Sequence, residues 1–213
     1  MGSAVRLRRL RRGTGTASAA RLAVLVCAAV GSSGCATGRG ASSGGGAGGE
    51  GYVASIVFPL AADSVRFAGG FGDPREGHAH RGQDLFCARW TPVLAAVDGT
   101  VDWMTNGPPR GTQGYAVLLR GGDGNLYYYA HLNDDDPGTN DGRGGPRYAY
   151  ARGLRNGDRV AAGDVLGYAG DSGNAERAGA HLHFELHRGR WGAAVDPAPT
   201  LHAAWSHRKS STP

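Results

Sequence analysis

From Tyr52 onward apolar positions fall in short β-rich runs, Ile56-Val57-Phe58, Val93 to Val97, Gly99 to Trp103, Ala116 to Leu119 and Leu126 to Tyr129, set apart by glycine turns. None has the long three-and-four spacing of an amphipathic helix. Gly121-Gly122-Asp123-Gly124 joins an expected strand over Ala116 to Arg120 to another over Asn125 to Leu132, which reads as a hairpin. In His181-Leu182-His183-Phe184-Glu185-Leu186 polar and apolar positions alternate, so a strand sets His181 and His183 on one face and packs Leu182, Phe184 and Leu186 around them. The pattern predicts an all-β domain of antiparallel sheets with long glycine-rich loops.

Asn156 to Gly167 is a further paired-turn unit, of the kind found in barrel-sandwich folds such as the lipoyl carriers, and a barrel-sandwich arrangement of the sheets is expected. The lysine that such carriers modify is missing there, the one lysine being Lys209. Composition agrees with a β-rich, loop-rich domain, since 38 glycines among 213 residues, 40% of them apolar, argue against a helical bundle.

The formal charge of +5 suggests a nucleic-acid partner until it is located. Six arginines (Arg6, Arg8, Arg9, Arg11, Arg12, Arg21) precede residue 35 with no acid among them, and setting them aside leaves seventeen bases against eighteen acids. No nucleic-acid surface is implied. The arginine-rich start runs into Ala19 to Val30, an apolar core too short to span a bilayer, so residues 1–35 read as an export signal. Gly31-Ser32-Ser33-Gly34-Cys35 resembles a bacterial lipobox, with Ser32 where leucine is usual; Cys35 is the expected lipidation site and the link to a membrane, the alternative being ordinary cleavage nearby. Residues 36–51 form a Gly/Ser-rich tether, about 20–24 Å end to end as a flexible coil. The ordered domain is expected over 52–200 and a polar tail over 201–213, as a monomer. Cys27 leaves with the signal and Cys35 is lipidated or lost, so Cys87 stands unpaired and a disulfide scaffold is excluded. Cys87 is expected to pack as a small hydrophobe.

Two imidazoles on one strand face are by themselves equally compatible with exposed surface residues. Upstream, Gly77 and Gly82 disfavour a helix around His80 and Asp84, which therefore read as a turn feeding a strand from near Asp84. Imidazole plus carboxylate is half a zinc site, and His183 makes it three protein ligands with a fourth position open, the pattern of a catalytic zinc. His131 and His181 then have no ligand duty. His78 reads as a solvated loop residue, and His187, His202 and His207 lie in no motif.

Phe71-Gly72, His80-Arg81-Gly82-Gln83-Asp84, Thr91-Pro92-Val93 with Ala95 to Val101, Tyr129-Ala130-His131-Leu132, Gly157-Asp158-Arg159-Val160 with Ala162-Gly163, and His181-Leu182-His183-Phe184-Glu185 follow one another in that order. Weak singly, as an ordered set over most of residues 56–197 they resemble the lysostaphin-type, LytM-like zinc metallopeptidases. The resemblance implies a duplicated hybrid motif fold, one Zn²⁺ per chain on His80, Asp84 and His183, catalytic His131 and His181, and a peptide bond in the stems or cross-links of peptidoglycan as substrate. Asn133 to Arg155 departs from the pattern by its length and is expected to be a mobile rim loop. The alternatives are a metal-free regulator of other cell-wall hydrolases, against which the presence of all five polar residues argues, and a peptidoglycan-binding lipoprotein without catalysis.

Overall fold

The computed structural model describes residues 52–108 and 111–210. Twelve strands follow one another as β1 (Arg66–Ala68), β2 (Pro74–Arg75), β3 (His78–Ala79), β4 (Gln83–Phe86), β5 (Pro92–Leu94), β6 (Gly99–Met104), β7 (Tyr115–Gly121), β8 (Leu126–Leu132), β9 (Arg159–Val160), β10 (Val165–Tyr168), β11 (His181–His187) and β12 (Ala194–Val195). Helix α1 (Pro146–Ala149) lies between β8 and β9, and α2 (Ala198–Ser210) follows β12. The chain is mostly β, and every ladder is antiparallel.

The main sheet runs β1-β4-β11-β8-β7-β6-β9, with β12 on β11; β10-β5 and β2-β3 form two small sheets. The hairpin expected at Gly121 to Gly124 is the β7–β8 connection. One face of the main sheet is closed by Leu85, Leu182, Phe184, Leu186, Tyr127 and Tyr129 in a single core with Val93, Ala95, Ala96 and Leu166. Burying side chains of this size stabilises the domain by about 1.5–3 kcal/mol each before entropy is counted.

Two expectations change. Ile56 to Phe58 joins no ladder, although Val57 N donates to Ala96 O at 2.8 Å and Leu60 bridges Val93. Residues 201–210, expected to be part of a polar tail, complete helix α2, so the domain runs past residue 200. Leu201 and Ala204 are buried, the Trp205 ring lies 4.7 Å from that of Phe58, and Arg208 Nη1 donates to Leu60 O at 2.9 Å. Their three-and-four spacing is an apolar stripe, hidden in the sequence by its brevity and by the polar residues between.

Candidate active site

Strand β11 lies between β4 and β8, and its register decides what meets what. His183 stands opposite Asp84 on β4 and Ala130 on β8, while His181 stands opposite Phe86. Side chains that face each other across a ladder share a face. Gly82, just before β4, makes this approach possible, because a Cβ there would meet Phe184 O at 2.4 Å. His80 follows the β2–β3 hairpin and completes the group.

Three acceptor atoms converge. His80 Nε2 lies 2.8 Å from His183 Nδ1 and 3.2 Å from Asp84 Oδ1, and His183 Nδ1 lies 3.0 Å from Asp84 Oδ1. The far side of each ring is already used, since His80 Nδ1 donates to Gly70 O at 2.9 Å and His183 Nε2 to Glu185 Oε1 at 2.9 Å. Both inward nitrogens therefore present lone pairs to a carboxylate oxygen, and one shared proton can serve only part of that triangle. A tetrahedral zinc with bonds of 2.0–2.1 Å spaces its ligand atoms roughly 3.3 Å apart, so donor set and spacing both fit that ion. These three residues are also one of two groups able to hold a metal among the described residues.

Electrostatics point the same way. Burial works against the charged form of Asp84, but hydrogen bonds and charge from His183 and His80 hold its carboxyl well below the usual range. Burial likewise disfavours a charged His183, yet Asp84 and Glu185 prevail and raise its proton affinity, the same field that attracts a cation. Arg75 Nη2 donates to Asp84 Oδ2 at 2.7 Å and fixes the second carboxylate oxygen.

His131 and His181 flank the triangle, their rings 4.9 Å apart, with His131 5.8 Å from His183. His181 Nε2 is 3.9 Å from Asp84 Oδ1, outside the tight contacts of the other three. Because Ala130 shares the face of His183, a regular strand would send the His131 side chain to the opposite face. Its φ of 60° turns it back. Such a left-handed conformation costs a non-glycine residue of order 1–3 kcal/mol and is held only by its surroundings. Here Gln113 O accepts from His131 N at 3.1 Å, and Gly170 N donates to His131 O at 3.1 Å.

Both flanking rings are locked in one tautomer, His131 Nδ1 donating to Ser172 O at 2.9 Å and His181 Nδ1 to Gly179 O at 2.8 Å. Their Nε2 atoms carry the lone pairs. Burial, then the neighbouring histidines, pushes His131 down to about 3, and burial also lowers His181, so both are neutral at pH 7 rather than titrating near 6.5.

Two participants, Arg75 and His187, escaped the motif reading, and a third, Glu185, stood in the motif with no role assigned to it. Arg75 arrives through a hairpin too short to register as strands. Glu185 and His187 continue the alternation of β11: His187 Nε2 lies 2.5 Å from Glu185 Oε2, under the Trp191 ring, whose centroid is 4.3 Å from that of His187. Burial works against the charged form of Glu185, but hydrogen bonds from His183 and His187, and then their charge, bring it down to about 2. Extending the period-two pattern one step beyond Glu185 would have found His187. His78 is exposed, as expected, and Cys87 packs against the core with burial pushing its thiol up to about 11. Cys35 lies outside the described residues. The 133–155 segment is tied down at its start, with Gly142 N donating to Asp135 Oδ1 and Arg89 reaching Asp135, Asn140 and Asp171.

A sheet that gathers a metal-competent triangle beside two neutral proton acceptors defines the class of site. The model of peptidase family M23 matches residues 78–142 and 146–197, more than half of the sequence, and the chain belongs to that family. The L-Ala--D-Glu endopeptidase of Bacillus subtilis is 30% identical over 146 residues, 64% of this chain and 37% of that protein. The DD-carboxypeptidase/endopeptidase Mpg of Neisseria meningitidis is 30% identical over 106 residues, 50% of this chain and 19% of that protein. The chain thus spans well under half the length of these curated relatives. Among solved structures, the catalytic domain of lysostaphin from Staphylococcus simulans superposes with a TM-score of 0.50 at 26% identity, covering 65% of this chain and 92% of that one. A putative glycyl-glycine endopeptidase LytM from Ruminococcus gnavus gives 0.52 at 26%, covering 70% and 60%.

Proposed function

We propose that this chain is an exported zinc endopeptidase that hydrolyses peptide bonds in the stems or cross-links of bacterial peptidoglycan. The observation that carries the reading is the triangle of three acceptor atoms, each pair within 3.2 Å, beside two imidazoles whose tautomers leave Nε2 bare. Family membership and relatives named as endopeptidases support it.

His80 Nε2, Asp84 Oδ1 and His183 Nδ1 would hold the ion. Zinc bound there supplies Lewis acidity, bringing the pKa of a water towards about 7 and polarising the scissile carbonyl. Glu185 and Arg75 keep the ligands in place. His131 and His181 handle protons. Each must accept one at Nε2 before it can give one, so one ring takes the proton of the attacking water and, once charged, can return it to the leaving amine or hold the developing oxyanion. The depressed affinity of His131 suits it to pass a proton on rather than keep it.

The test is metal content together with hydrolysis of purified sacculi. Wild type should carry one zinc per chain, and His183→Ala none, because three ligands leave no redundancy. His181→Ala should keep its zinc while hydrolysis falls by about 10²–10⁴-fold, the size of a general acid–base contribution. A His181→Ala protein that purifies without zinc would show His181 to be a ligand and overturn this division.

A further inference from the structure

A second buried cluster lies just past β8, the strand that carries His131. Asp134 and Asp135 follow β8, Asp171 follows β10, and one carboxylate oxygen from each lies within 4.8 Å of the others. Their exposures are 6%, 1% and 1%. Among the described residues the cluster has one cationic partner: Arg89 pairs with the Oδ2 atoms of Asp135 and Asp171, the latter at 2.5 Å. Three carboxylates against one guanidinium leave about two negative charges uncompensated in a buried place, which is costly unless something else pairs with them.

An independent observation points to what that is. Asp134 Oδ1, Asp171 Oδ1 and the uncharged side-chain oxygen of Asn133 are all buried without a hydrogen-bond partner. Asn133 is fully buried, and its amide nitrogen donates to Asp135 O at 3.0 Å, which sets the amide group beside the acids. Three unpartnered acceptors on the residues of this cluster and on the asparagine next to it in the chain are far from the norm for buried polar atoms. Packing favours the arrangement: a Cβ at Gly170 would meet Asn133 Cα at 2.4 Å, and one at Gly144 would meet Asp135 O at 2.2 Å, so the segments close on one another backbone to backbone.

We propose that Asp134, Asp135, Asp171 and Asn133 form a second metal site, distinct from the His80, Asp84 and His183 site, that takes a hard divalent cation, calcium above all. An all-oxygen donor set of carboxylates and an amide carbonyl excludes a preference for zinc or copper and suits calcium, which accepts irregular coordination at 2.3–2.6 Å and completes it with water. Oxygens up to roughly 5 Å apart can share such an ion. Asp171 precedes Ser172, whose carbonyl accepts the His131 Nδ1 proton. Calcium here would clamp the long 133–142 segment to the residue that orients His131.

The experiment uses the purified protein with its zinc retained and calcium removed by dialysis. Equilibrium dialysis with radioactive calcium chloride should find one calcium per chain, and the melting temperature should rise with calcium concentration until the site saturates. Asp134→Asn and Asp171→Asn should each weaken binding at least tenfold, while His80→Ala leaves it unchanged. Arg89→Met offers a reversed test: the variant should melt lower than wild type without calcium and be restored by it, because the ion replaces the lost positive charge. No retained calcium at millimolar concentration in the wild type overturns the proposal even if every carboxylate variant fails to fold. So does an Arg89→Met protein that calcium does not restore, since the arginine is then the sole counter-ion of the cluster.

Discussion

His183 shows how much one residue depends on its outward bond. Its Nδ1 can face Asp84 and His80 because its Nε2 is committed to Glu185, and Glu185 is in turn held by His187. Partners of this kind set the tautomer and orientation of a metal-binding imidazole, and losing them typically costs 10–100-fold in metal affinity. Glu185→Gln should therefore weaken zinc binding by that factor, read by competition with a chelator, while His181→Ala leaves it unchanged. His131 yields a pH prediction. Folded, it binds a proton only near pH 3; unfolded, it does so near 6.5. Between these values the unfolded chain holds more protons, so stability present above about pH 6.5 is lost as pH falls through the window. Melting temperatures measured from pH 7 to 4 should fall less steeply in His131→Gln than in wild type, and identical slopes would assign the acid sensitivity elsewhere.

At the scale of elements, β11 does the organising because it sits between the two strands that carry the other histidine and the carboxylate. The ladder with β4 requires Gly82: its absent side chain leaves room for Phe184 O, and a Cβ there would also stand 3.0 Å from His183 Cε1. Gly82→Ala should accordingly separate β4 from β11 and displace both Asp84 and His183. Reduced zinc occupancy and a lower melting temperature should appear together, by calorimetry and metal analysis of the same sample; a fully stable, fully loaded Gly82→Ala protein would contradict this role. Gly69 has a parallel function, with φ of 64° and its Cβ position 2.5 Å from Asp84 Oδ2. The β4 and β11 placements were legible in the sequence, β11 as an alternating run and β4 because Gly77 and Gly82 argue for a turn that feeds a strand near Asp84. Strands β2 and β3 were not, because two-residue strands leave no period to detect.

At the scale of the whole molecule, helix α2 closes one end of the core through Leu201 and Trp205, while residues 1–51 lie outside the described structure. The lipobox-like stretch before Cys35 motivates a proposal about the complete chain: two acyl chains on Cys35 would anchor the enzyme to a membrane by its glycine-rich tether, where one would hold only weakly. Growth with labelled fatty acid should mark the wild type and not Cys35→Ala, and label that persists in the variant would remove the anchor. The sequence by itself determined the β class, the order of the motifs and the five residues that meet at the site, because strand alternation and glycine turns are local and the motif spacing follows the chain. It also separated an arginine-rich stretch before residue 35 from a remainder whose charges balance. Only the tertiary structure decided which atoms face one another: the register that sets His183 opposite Asp84, the left-handed backbone that turns His131 towards them, the outward bonds that choose each tautomer, and the meeting of Asp134 and Asp135 with Asp171. These depend on contacts between residues dozens of positions apart, and on burial that moves proton affinities away from their values in water, neither of which a linear pattern contains.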